Sequence, residues 1–158
     1  MRPRQYPLEP LAKVRQRAVD VAMGRLSFAV KARDAATKAR QAAEQMRLDH
    51  ERATAHVKDA ERDALERGDL RAADLAREAT WGLRIATERA RLSAGVDRTK
   101  AAEAEASDGQ RKAQVGVASR RADADVVAKD RARWDDARKK SAEARDEEAA
   151  SEGWRPKR

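Results

Sequence analysis

Cysteine is absent from this chain, and aromatic side chains nearly so: three Trp, one Tyr and one Phe make up 3% of 158 residues. Without cysteine there is no disulfide framework and no thiolate metal site. Proline (four) and glycine (seven) are too sparse for the usual disordered composition. Residues 1–30 hold no continuous apolar run, so neither a signal peptide nor a membrane span is expected. His50 and His56, the two histidines, lie six apart on different faces of any helix, which does not suit a metal pair. No Walker loop, GxGxxG, HExxH or nucleophile elbow occurs. The many carboxylates are dispersed, so neither enzymatic activity nor a cofactor is expected.

What remains is 41% charged and 41% hydrophobic, the latter largely alanine. Burying alanine removes little apolar area, at about 25 cal/mol per Å², so a thick multilayer core is out of reach. Ala, Arg, Glu, Lys and Leu are the strongest helix formers, and a chain built from them points to long helices sharing a thin seam. The net charge of +8 permits an anionic partner. With 28 acidic residues interspersed among 36 basic ones and no recognition motif, nucleic acid is not expected to be that partner.

The centre of the pattern is Leu65-Glu66-Arg67-Gly68-Asp69-Leu70. Gly68 suits the left-handed residue that stops a helix, and Asp69 suits the cap of the next. Such a stop and start implies a tight αα-hairpin. The expected fold is all-α: an irregular basic lead over 1–7, a first helix over 8–66, a turn at 67–69, a second helix over 70–150 and a flexible tail over 151–158. Pro7 and Pro10 hold the first helix back to Leu8 or Glu9. Antiparallel coiled-coil packing is expected from a seven-residue grid of two rows, starting at Leu8 and at Leu11. It collects Leu8, Leu11, Ala18, Ala22, Ala29, Ala32, Ala36, Ala39, Ala43, Met46, Ala53, Val57, Ala60 and Ala64, with Arg15, Arg25, His50 and Arg67 as polar intruders. Val14, Val19, Val21, Leu26 and Phe28 fall off this grid, so part of the apolar stripe drifts or faces another partner.

Folding the chain at Gly68 sets Val57 near Trp81, Ala53 near Ile85, Met46 near Leu92, Phe28 near Gly109, Val21 near Gly116 and Leu11 near Val126 and Val127. Residues beyond about 130, including Trp134 and Trp154, are then expected to overhang. Acid-first (i, i+4) pairs such as Asp34 with Lys38 and Asp63 with Arg67 are expected along the exposed faces. Trp81 and Trp134 are the leading candidates for partner contact, because Trp is over-represented at interface hot spots.

Four stretches resemble one family. The opening Tyr6-Pro7-Leu8-Glu9-Pro10-Leu11, followed by Val14-Arg15, resembles the start of the central stalk proteins of type III secretion systems, the YscO or SctO family with its flagellar relative FliJ. Gly68-Asp69-Leu70-Arg71-Ala72-Ala73-Asp74-Leu75, Asp130-Arg131-Ala132-Arg133-Trp134 and the late acidic Asp146-Glu147-Glu148 resemble the same family. The resemblance implies a cytoplasmic stalk, peripheral to the inner-membrane apparatus. It implies that the end carrying both termini enters a hexameric export ATPase, that the middle meets the cytoplasmic domain of the export gate, and that secretion chaperones are further partners. Carried over by position, the gate-facing residues are Met46, His50, Ala53, Val57, Trp81, Ile85 and Leu92. The ATPase-facing set is Arg2, Arg4, Tyr6, Lys13, Arg15, Arg17 and Trp134. A coiled-coil adaptor without an ATPase partner is the alternative reading of the same residues.

Overall fold

The structure, a computed structural model, describes residues 5–69 and 71–153, apart from the side chains of 72, 73, 75, 76, 78 and 153. Two long helices, α1 (Glu9–Glu66) and α2 (Ala72–Gly153), reverse direction between them and pack as an antiparallel hairpin. α1 ends at Glu66 as expected, and the other three helix ends lie one to three residues from their expected positions.

Gly68 makes the turn, at φ +76°, the only positive φ among the described residues. Its N–H bonds the Leu65 carbonyl at 3.0 Å, and the Asp69 N–H bonds the Ala64 carbonyl at 3.0 Å. This pair of crossed bonds is a Schellman motif, which satisfies carbonyls that the helix end leaves free. Asp69 does not cap α2 as expected. Its carboxylate is held by Arg67 Nε at 2.9 Å, and α2 begins further on. There Asp74 Oδ2 reaches back to accept the Arg71 backbone N–H at 3.0 Å, half of a capping box.

The hairpin divides into two compact units, each holding a piece of both helices. Among the described residues, those up to Ser27 and those from Lys112 onwards form the terminal unit, and those between Phe28 and Arg111 form the turn unit. In the terminal unit Tyr6, Val19, Val117 and Val127 are buried; in the turn unit Val96 is. The terminal unit therefore carries most of the apolar core among the described residues.

One row of the expected grid is covered by α2 and the other is not. In the terminal unit Arg15 and Ala22 of the first row are half-buried. In the turn unit Ala29, Ala36, Ala43, His50 and Ala64 of that row are half-buried too, while Val57 is exposed. The second row runs one residue later than expected: Ala12, Val19 and Leu26 in the terminal unit, then Arg33, Arg40, Arg47, Thr54 and Glu61 in the turn unit. Met46 (61% exposed), Val21 (57%) and Phe28 (76%) consequently face away from α2, not towards Leu92, Gly116 and Gly109 as the fold-back placed them. Counting apolar residues favoured the wrong row. An arginine can lay its aliphatic stem along a seam while its guanidinium reaches a carboxylate, on the facing helix for Arg40 and on α1 itself for Arg33 and Arg47. These three stand where Ala32, Ala39 and Met46 were expected.

The surface ion pairs also differ from expectation, and Arg67 meets Asp69 where Asp63 was expected. Asp34 meets Arg33 and not Lys38, and short aspartates pair with an arginine three residues on, as in Asp49–Arg52 and Asp59–Arg62, both at 3.6 Å. These exposed pairs are worth only a few tenths of a kcal/mol each, on the order of 0.3.

Candidate interaction site

Tyr6 organises the terminal unit. The chain before α1 turns so that the Glu9 N–H bonds the Tyr6 carbonyl at 3.1 Å, and this lays the ring, only 6% exposed, against α2. The phenol donates to Asp130 Oδ2 at 2.5 Å, with the Val127 carbonyl at 3.5 Å. Trp134 meets the ring edge-on, centroids 5.6 Å apart, and the Arg131 guanidinium lies 6.0 Å from its centre. Arg131 also bonds Glu9 at 2.8 Å, while Arg138 stacks over Trp134 at 4.7 Å. Nearly two turns further along α1, Arg15 meets Asp123 at 3.0 Å.

Trp134 therefore does not overhang. The fold-back omitted the lead, which supplies its partner; the fully exposed stretch of α2 begins after Trp134, from Asp135 onwards. Burial, the short bond to Asp130 and the repulsion of that carboxylate push the Tyr6 phenol from 10.0 up to about 12, with Arg131 partly opposing. Of the remaining residues assigned to the ATPase-facing set, Lys13 and Arg17 are exposed and Arg15 is half-buried. Arg2 and Arg4 lie outside the described residues, as does Trp154.

A second cluster, with no counterpart in the sequence expectation, lies in the seam of the turn unit. Glu103 on α2 accepts from Thr37 Oγ1 at 2.7 Å and from Arg40 Nε at 2.6 Å. Arg40 also bonds Glu44 at 2.6 Å, and Lys100 approaches Glu44 at 3.8 Å. The facing pairs expected on either side, Phe28 with Gly109 and Met46 with Leu92, imply a register two to three residues short of this Thr37–Glu103 contact. The Thr37 hydroxyl and then Arg40 hold the Glu103 carboxyl below its ordinary value of 4.5, against the opposing effect of burial. Nearby, Arg33 Nε, Arg47 Nε and His50 Nε2 are enclosed without a hydrogen-bond partner. Arginines at 33, 40 and 47 recur every seven residues, and that heptad of cations was the available sign of a polar seam.

Because Glu103 is depressed in the folded state, its stabilisation is complete above about pH 4.5 and is lost as pH falls through the lower folded-state value. Glu103→Gln is expected to be less stable than the parent at neutral pH, with the difference vanishing in acid. Paired urea titrations followed by circular dichroism at neutral and acidic pH read this directly; a constant difference across that range would refute the assignment.

Among the gate-facing set, His50, Trp81, Ile85 and Leu92 are half-buried, whereas Met46, Ala53 and Val57 are exposed. Ala53 and Val57 lie with His56, Ala60, Glu61 and Ala64 along one shallow apolar strip of α1. Among the described residues no group of three or more His, Cys, Asp or Glu is placed to hold a metal ion, and no helix is long and apolar enough to cross a membrane. Comparisons with family models, with curated proteins and with solved structures return no match.

Proposed function

We propose that the chain is the central stalk of a type III secretion export apparatus, a non-enzymatic hairpin of the YscO or SctO kind. In this reading the end holding both termini enters a hexameric export ATPase and promotes its assembly and hydrolysis. The turn unit faces the cytoplasmic domain of the export gate, and secretion chaperones are further partners. The supporting observation is that two stretches resembling that family, more than a hundred residues apart, interlock: Tyr6 with Asp130 and Trp134, and Glu9 with Arg131. Residues that read as separate motifs act together as one clasp, at the end that this reading assigns to the ATPase ring.

The test adds purified chain to the hexameric ATPase of a type III system from the same organism. Co-sedimentation with the hexamer and an increased hydrolysis rate are expected, with no hydrolysis by the chain alone. Neither association nor stimulation would overturn the proposal.

A further inference from the structure

The terminal unit carries a second apolar face that α2 leaves uncovered. On α1, Leu11 (39% exposed), Val14 (59%) and Val21 (57%) stand with half-buried Ala18 at alternating spacings of three and four residues. That is the repeat by which a helix receives a neighbouring helix. Residues 12, 15, 19 and 22, one position along, already serve α2 with the same spacing. Two heptad rows offset by one residue give a helix two packing faces, and here the open one is the more apolar. It holds Leu and Val where the occupied one includes Arg15.

Charge selects the occupant. Lys13, Arg17 and Arg25 border or interrupt the open face, are exposed, and make no ion pair among the described residues. The one acid among them, Asp20, already receives Gln16 Nε2 at 3.1 Å. A second copy docked here would set like charges against each other, which disfavours self-association. We infer that this face of α1 docks an amphipathic helix of another protein, one with apolar residues at heptad spacing and glutamate or aspartate at its flanks. Lys13, Arg17 and Arg25 would meet those acids at the rim, while Leu11, Val14 and Val21 supply the buried centre. The inference is argued from exposure, spacing and charge and not from the export-stalk reading, whose ATPase-facing set shares Lys13 and Arg17 with this face.

The test uses the full chain and two fluorescently labelled synthetic peptides, each with leucine at heptad positions, one flanked by glutamate and the other by lysine. Fluorescence anisotropy is expected to show binding of the glutamate peptide alone. The double variant Val14→Glu/Val21→Glu, altered only at exposed positions, should weaken that binding by about tenfold or more while keeping its helicity and melting temperature. Lys13→Glu/Arg17→Glu should shift preference to the lysine peptide. Binding of neither peptide, equal binding of both, or indifference to Val14 and Val21 would each overturn the inference. So would a wild-type dimer in sedimentation that Val14→Glu/Val21→Glu dissolves, since the occupant would then be a second copy.

Discussion

Replacing Tyr6 with alanine is expected to lower the melting temperature by on the order of 5–10 °C and to open the terminal unit selectively. The ring removes itself from water, receives the edge of Trp134 and directs its only proton to Asp130. Among the described residues Val19, Val117 and Val127 are the other buried side chains of this unit, so little else substitutes for it. Hydrogen exchange should show lost protection across Glu9–Ala22 and the facing residues of α2, while Phe28–Arg111 keep theirs. Uniform loss throughout the chain would refute the localised role.

Alkali provides an independent reading of the same contact, because Tyr6 is the sole tyrosine. A phenol raised from 10.0 to about 12 on folding contributes stability that is fully present below pH 10 and disappears as pH rises through 12. Tyrosinate absorbance of the native protein should therefore appear near pH 12, and near pH 10 in urea-unfolded chain. Native titration at the unfolded value would show that the ring is not held.

Gly68→Val is expected to destabilise the hairpin by about 1–2 kcal/mol, the usual penalty for an L-residue in the left-handed region. Space is not the obstacle, since a Cβ there meets nothing within 4 Å; the backbone angle of +76° is. Gly24→Ala is the matched control. Its Cβ likewise meets nothing within 4 Å, but its φ is helical, so alanine should stabilise by about 0.5–1 kcal/mol. Urea midpoints of the two variants should move in opposite directions. Relief of the strain in Gly68→Val by straightening α1 into α2 would appear as a domain-swapped dimer in sedimentation. Equal effects at the two glycines would remove the turn from Gly68.

Much of this was readable in the sequence because it depends on local chemistry. The Gly68 stop, the proline-limited start at Glu9 and the long helix-forming runs each express a preference of the residue itself. One of the two seam rows was also visible, from Arg15 through Ala22 to His50 and Ala64. The second row was not. Apolarity favoured Leu11, Ala32 and Met46, whereas α2 covers Val19, Arg33 and Arg40.

Helicity, the reversal at Gly68 and the antiparallel pairing were thus determined by the sequence alone, since each follows from neighbours within a few residues. Which face of α1 meets α2 was decided only in the tertiary structure. Glu103 on the facing helix makes Arg40 a better seam residue than an alanine one position away, and the lead turns Tyr6 onto Asp130 and Trp134. A residue's value in a thin alanine seam depends on the partner it meets across it, and that partner lies more than sixty positions away in the chain.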